Sequence, residues 1–340
     1  MLQAPYDAVL VVSFGGPEGP EEVRPFLERV VRGRAVPAER LEEVATHYLR
    51  FGGVSPINAQ VRAFLGSLSP ALEQRGVGLP LYWGNRNWHP LLEDTMATMA
   101  GDGVRRAVAY VTSAFSSAPG CRQYLDDIER ARAAVGPGAP VVDKLVPFFD
   151  RPGFVEAVAE GAGRALAELP PGTRDAAELV FTAHSIPLSL ASSCDYEAQI
   201  AETARLVVER LGARLAWAVA YQSRSGPPSQ PWLGPDVLEH LAVLAARSRA
   251  AVVVPVGFVS DHMEVAFDLD VEARETADEV GLPMARSATA GTHPAFVGTI
   301  ADLVAEKVTG VAAPRGLSRL APRPDPCLPG CCPAAGVRRA

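Results

Sequence analysis

His184 closely follows the apolar run Leu179-Val180-Phe181, so the sequence places it at the end of a strand, where an imidazole can serve as a base or a metal ligand near neutral pH. A histidine merely hydrogen-bonded at a strand terminus is the plain alternative. Further along, Glu264, Asp268 and Glu272 recur at i, i+4 and i+8 on what reads as one helix. That spacing stacks three carboxylates on one face at roughly 6 Å intervals. Turned to solvent, such a face is ordinary; turned inward, it is a ladder able to pass protons or hard cations. His262, two residues before Glu264, points elsewhere on the helix and reads as a supporting partner. His47 and His240 fall within amphipathic helices and His89 and His293 precede prolines, which assigns them to structure or surface, with His47 the strongest exception.

The five cysteines are too few and too uneven for a disulfide framework. Cys327, Cys331 and Cys332 fall within six residues of a Pro-, Gly- and Arg-rich tail that has no other means of folding. A metal ion or cluster would supply the missing cross-link. Iron–sulfur centres and structural zinc both take four thiolates, so one ligand must come from elsewhere. Cys121, opening a helix after Ser116-Ser117-Ala118-Pro119-Gly120, is the better donor; Cys194 lies in a separate segment after His184. A tail of unpaired thiols in a reducing compartment is the alternative.

These groups need a scaffold. Apolar runs that read as buried parallel strands occur at 7–13, 79–83, 106–112, 141–145, 179–183, 215–221 and 250–256. Amphipathic stretches at 21–32, 40–50, 58–74, 122–134, 153–169 and 195–211 separate them. Strand alternating with helix implies βαβ crossovers. The expected fold is α/β: two doubly wound, Rossmann-like domains with parallel sheets facing a cleft. Residues 1–146 make the first, 147–289 the second, a helix within 290–310 packs back on the first, and 311–340 form a cysteine-containing tail. Ligands of open α/β sheets bind beyond the carboxyl ends of strands. Several strands here end in polar or Gly-rich segments, among them 13–17, 112–117, 182–185, 222–226 and 257–262.

At 340 residues, with 48% hydrophobic and 21% charged side chains, the chain has the length and composition of about two globular domains. A net charge of −7 provides no basic field for nucleic acid. Lys144 and Lys307 are the only lysines, which reads as a bias toward arginine and leaves no Gly-Lys-Ser/Thr phosphate loop. The N-terminal residues lack the basic and apolar regions of a signal peptide, and no window resembles a membrane span, so a soluble cytoplasmic protein is expected.

Six motifs in order, Ser13-Phe14-Gly15-Gly16-Pro17, Phe51-Gly52-Gly53-Val54-Ser55-Pro56-Ile57, Phe181-Thr182-Ala183-His184-Ser185-Ile186-Pro187, Gln222-Ser223-Arg224-Ser225-Gly226-Pro227, Pro231-Trp232-Leu233-Gly234-Pro235 and the run from Pro255 to Glu264, resemble ferrochelatase. The likeness extends from about residue 7 to 308, and the Arg-rich composition and cysteine tail are similar to the high-GC Gram-positive, monomeric form. That resemblance implies insertion of ferrous iron into coproporphyrin III, with a later enzyme completing haem b and a possible handover to it. Protoporphyrin IX as substrate, a sirohydrochlorin chelatase and a non-catalytic haem- or metallophore-binding protein are the alternatives.

The resemblance carries the catalytic histidine onto His184 and its glutamate onto Glu264, both also metal-contacting, with Asp268 and Glu272 as relay positions. Porphyrin contacts map onto Phe14, Arg32, Ser55, Tyr124 and Ser223. Phe14 stands where relatives often carry Tyr or Met, and phenylalanine cannot ligate iron. His47 and Val31 replace basic positions, leaving Arg86 or Arg122 to compensate. A [2Fe–2S] centre would use Cys121, Cys327, Cys331 and Cys332. The expected arrangement sets His184 and Glu264 on opposite walls of a gap wide enough for a flat tetrapyrrole, gripped by apolar residues such as Phe14, Ile57 and Trp232.

Overall fold

The alternation of apolar strands and amphipathic helices builds two parallel sheets of the same topology. A computed structural model describes residues 5–33, 36–212, 214–226, 229–247, 250–321, 324–325, 327 and 331–332. Pro227, quoted in one motif, lies outside the described residues, as do 328–330 and 333–340 of the tail. The first sheet has the order β2-β1-β3-β4, from β1 (Ala8–Ser13), β2 (Leu81–Asn85), β3 (Arg106–Val111) and β4 (Val141–Lys144). The second repeats it as β6-β5-β7-β8, from β5 (Ala177–His184), β6 (Ala216–Gln222), β7 (Ala250–Val254) and β8 (Met284–Arg286). All pairings within both are parallel. The central strands are buried nearly along their length, which is why β1 and residues 179–181 of β5 read as apolar runs rather than alternating ones.

The first sheet is interleaved with α1 (Pro20–Val30), α2 (Ala38–Arg50), α3 (Ile57–Glu73), α4 (Leu92–Gly101) and α5 (Gln123–Val135). The second carries α6 (Pro152–Glu168), α7 (Leu188–Ala191), α8 (Tyr196–Leu211), α9 (Val237–Leu244), α10 (Met263–Phe267) and α11 (Ala273–Glu279), and α12 (Pro294–Thr309) closes the helical part. The apolar patterning leaves out β8, α4 and α9. β8 is three residues on a sheet edge, too short for a period, and the other two are short helices set after loops rich in Pro, Trp and Gly.

α12 packs on α3 from the first half and α6 from the second. Its Phe296 meets Phe64, Tyr110, Phe148 and Phe154 at ring centroids 5.7–6.5 Å apart. One hydrophobic core therefore runs under both sheets. The helix starts at His293, whose Nδ1 accepts from the amide of Ala295, and stops at Gly310 in the left-handed region.

After α12 the chain lies along the second half. The amide of Leu317 donates to Asp150 O at 3.0 Å, the amide of Arg319 to Glu202 Oε1 at 2.7 Å, and Arg151 to Pro314 O at 2.5 Å. Residues 314–319 thus have backbone partners besides any staple that the cysteines supply. Lys307 pairs with Asp325 at 2.5 Å. No helix among the described residues is long and apolar enough to cross a membrane.

Candidate active site

His184 is the last residue of β5, and the next element to reach it comes from β7, the strand bonded to β5 on one side. Gly257, just past β7, donates its amide to Thr182 O at 2.9 Å. A Cβ there would stand 2.5 Å from the Cβ of Ala183, so only glycine lets this loop lie against the end of β5. The loop then delivers Glu264 on the first turn of α10. His184 Nε2 and Glu264 Oε2 are 3.8 Å apart.

The two side chains thus meet on one wall. The expectation of opposite walls with a tetrapyrrole slot between them is wrong, and the reason is topological: both residues stand at the carboxyl edge of the same sheet, on neighbouring strands. His184 is about one-third exposed and Glu264 about one-half, so the pair faces outward as a unit. The His184 Nδ1 lies 2.5 Å from Ser185 O, a contact satisfied by an Nδ1–H donor, with Nε2 on the side of Glu264.

Behind this pair the acidic series continues, but not on a regular α-helix. Residues 268–272 form a π turn between α10 and α11, closed by the amide of Ala273 donating to Asp268 O. A π turn carries one more residue per hydrogen-bonded ring than an α turn, and the charges of Glu264 and Glu272 both still act on Asp268. Asp268 accepts from the Ser223 hydroxyl and from Gln222 Nε2 at 3.2 Å. Burial raises the Asp268 carboxyl to about 7; the Ser223 hydrogen bond opposes this, and the charges of Glu264 and Glu272 add to it. Glu272 is also raised, chiefly by burial and then by Asp236. Burial lowers both His262 and His47, favouring their neutral forms.

Ser223 itself has φ +58°, a left-handed conformation that costs a non-glycine residue about 1–2 kcal/mol. Its hydrogen bond to Asp268 holds it there. Gln222 Oε1, buried beside it, has no partner among the described residues.

The remaining predicted contacts come from the first half. Phe14 packs edge-on against Phe26 at 6.4 Å, with the Arg86 guanidinium 5.8 Å from its ring. Ser55 is buried, its amide donating to Pro17 O at 2.8 Å. Tyr124 is buried beneath Arg86, 4.5 Å from the guanidinium carbon. Arg86 is itself held by Asp127 in a buried ion pair, and Arg122 pairs with Asp126 at 2.8 Å, so both arginines proposed as compensating cations already have carboxylate partners. Arg32 is exposed after α1. His47 stacks on Phe267 at 3.7 Å with rings 8° from parallel, joining α2 to the end of α10. Met263 is buried with Phe26 and Tyr48, so the wall bearing Glu264 adjoins α1 and α2.

Two further cavities lie elsewhere. One of about 510 Å³ is lined by Glu156, Arg205, Arg210 and Arg319 among others, and one of about 280 Å³ lies between α6, α12 and the tail.

The cysteines come together in part. The Cys121 sulfur is a hydrogen-bond partner of Cys327, of Cys332 and of Lys144, and the two thiols lower its pKa, with Cys327 the larger influence. Cys327 is held protonated by that bond and by burial, and it also feels Cys331. Cys194 bonds instead to carbonyls of its own turn, at Leu190 and Ala191. Among the described residues no group of three or more His, Cys, Asp or Glu side chains is arranged to hold a metal ion.

Sequence reasoning missed Gln60, Asp261, Asp270 and Arg286, which bond to one another around the loop and turn flanking Glu264. Their types are ordinary and their partners are distant in sequence, so no local spacing marks them.

The ferrochelatase family profile matches residues 6–308. The chain is 49% identical to a ferrochelatase of Rhodopirellula baltica, over 98% of this chain and 97% of that protein. It is 50% identical to a coproporphyrin III ferrochelatase of Nocardia farcinica, over 98% and 99% of the two chains. Among solved structures, SirB from Bacillus subtilis with Fe3+ superposes with a TM-score of 0.54 at 14% identity, covering 89% of this chain and 96% of that one, a likeness of fold.

Proposed function

The chain belongs to the ferrochelatase family, and from that premise we propose that it inserts ferrous iron into coproporphyrin III to give the iron coproporphyrin of haem b synthesis. The observation that carries this reading is the His184–Glu264 pair at 3.8 Å with a near-neutral Asp268 behind it. The relatives named as coproporphyrin III ferrochelatases, at about 50% identity over nearly their whole length, support the choice of porphyrin.

Metallation must remove two pyrrole protons, strip water from Fe²⁺ and bring the metal to nitrogen lone pairs in the ring. Since His184 Nδ1 is tied to Ser185 O, Nε2 is the basic nitrogen presented to the porphyrin and takes a pyrrole proton. Glu264 offers oxygen to the incoming iron, and nitrogen with carboxylate suits a ferrous ion. Asp268 has its affinity for a proton set near pH 7, so it can accept one from the pair and release it toward Glu272 and solvent. The macrocycle then rests on one side against the His184–Glu264 wall and on the other against the first half, where Phe14 and Ser55 supply an apolar face and a hydroxyl. Arg32, Tyr124 and Ser223 are the other proposed porphyrin contacts.

The lobes are assigned as 1–146 and 147–289, with the helix in 290–310 packing back on the first and 311–340 as a cysteine-containing tail. The tail cysteines with Cys121 fit a [2Fe–2S] centre in donor type and number, and the approach of Cys327 and Cys332 to Cys121 supports that assignment. When bound, such a centre would supply a one-electron redox group and a cross-link between the tail and Cys121. The enzyme acts as a soluble monomer in the cytoplasm and passes its product to a decarboxylating step.

Anaerobic Fe²⁺ insertion, followed by the change in porphyrin absorption, tests the reading. Faster steady-state metallation of coproporphyrin III than of protoporphyrin IX is expected. Preference for protoporphyrin would reverse the substrate assignment, and tight porphyrin binding with no metallation would leave a carrier rather than an enzyme.

A further inference from the structure

The π turn that carries Asp268 and Glu272 has a third carboxylate at its middle. Asp270 lies two residues from each, and side chains two positions apart on a helix point roughly opposite ways. Asp270 therefore faces away from Gln222 and Ser223, which Asp268 engages. It meets Arg286 in a two-pronged contact: Nε to Oδ1 at 2.6 Å and Nη2 to Oδ2 at 2.9 Å. Such a pair fixes orientation as well as distance, because the guanidinium fork is planar and rigid.

Arg286 has a second partner. Its Nη1 donates to Asp261 Oδ1 at 3.0 Å, so one side chain ties the loop before Glu264 to the turn after it. β8 places it there: Arg286 pairs in register with Val253 of β7, at the same sheet edge that presents the site. Asp261 in turn reaches the other half of the molecule. Its amide donates to Gln60 Oε1 at 2.8 Å, and Gln60 Nε2 donates to its Oδ2 at 3.4 Å. Gln60 lies in the first turn of α3, five residues after Ser55. The guanidinium is only 17% exposed, so these contacts are sheltered from water.

We propose that Arg286 is a positioning residue for iron insertion: by clamping Asp261 and Asp270 it holds Glu264, Asp268 and Glu272 in one orientation, and through Gln60 it sets that wall relative to the porphyrin-contacting half. Arg286 touches neither porphyrin nor iron. It acts through the carboxylates, so its loss slows metal insertion while the porphyrin still binds. This rests on the iron-insertion reading above.

Three variants test it: Arg286→Gln, which removes the charge and the fork; Arg286→Lys, which keeps the charge; and Asp270→Asn, which removes the partner. The rate of metallation per bound porphyrin is measured alongside porphyrin affinity from fluorescence quenching. Arg286→Gln and Asp270→Asn are expected to lower kcat about tenfold with Kd for porphyrin within about twofold, Arg286→Lys to recover part of the loss, and the double variant Arg286→Gln/Asp270→Asn to be no slower than either single one. A kcat within twofold of wild type in both single variants overturns the proposal. So does a fall in kcat matched by an equal loss of porphyrin affinity, which marks a general structural role. Should Arg286→Gln fail to fold, Asp270→Asn and Arg286→Lys are judged by the same criterion. A wild-type chain that binds porphyrin but never metallates it fails the iron-insertion reading instead, and the role of Arg286 falls with it.

Discussion

His184 is oriented by a backbone carbonyl, and its imidazole is free to act only through Nε2. Replacing it with alanine should abolish metallation and leave porphyrin affinity within about tenfold, or roughly 1.4 kcal/mol; turnover at the wild-type rate in His184→Ala would refute its role. Asp268 makes a separate prediction through pH. Its carboxyl titrates near 3.8 when unperturbed and at about 7 in the folded chain. Between those values the unfolded state has released the proton that the folded state keeps, so this residue's contribution to stability falls as pH rises and levels off above pH 7. Asp268→Asn should flatten that decline, giving a thermal midpoint above wild type at pH 8 and a smaller difference at pH 4. A constant offset across the range would assign the effect to packing. His184 and Glu264 were both legible from strand-end position and motif, whereas their placement on one wall was not. Sequence identifies the strands that carry them but not that β5 and β7 are neighbours.

At the scale of the element, the segment 263–279 shows where periodicity stops being informative. Every residue in it is compatible with an α-helix, and the three carboxylates fall at helical spacing. The wider turn at 268–272 carries contacts that local spacing does not reveal: Ser223 and Gln222 on one side and Arg286 on the other. The tail gives the opposite lesson. Its composition reads as unfolded, yet the Asp150 carbonyl, the Glu202 carboxylate and the Arg151 guanidinium engage residues 314–319. Cysteine contacts begin only beyond them. Cys327→Ser should therefore expose the segment after residue 321 to protease while 314–319 stay protected, a pattern readable by limited proteolysis and mass spectrometry; uniform release from 310 onward would show that the thiols hold the entire tail. Reconstitution with iron and sulfide should give visible sulfur-to-iron absorption bands in wild type and not in Cys121→Ser, and their absence in wild type would reject the cluster.

For the whole molecule, the repeated strand order and the shared core decide how it comes apart. Phe296 lies where aromatic side chains from both halves meet, and truncating such a residue costs about 3–5 kcal/mol. Phe296→Ala should lower the stability of both halves together, as one denaturation transition displaced to lower guanidinium concentration. Two transitions, only one of them displaced, would show the halves to unfold independently. The alternation of strand and helix made this α/β architecture legible from β1, β5 and β7, each built around an apolar run; the joining of the halves through α12 was not, since nothing in an amphipathic pattern names the surface it will cover. The lysines have a practical bearing on the same architecture. In a chain whose cations are otherwise all arginine, one lysine lies beside Cys121 and the other bonds Asp325. Reagents that acylate primary amines consequently have just two side-chain targets, one at each of these tail contacts, and the chemistry of a two-site label becomes a direct gauge of whether the C-terminal segment is seated.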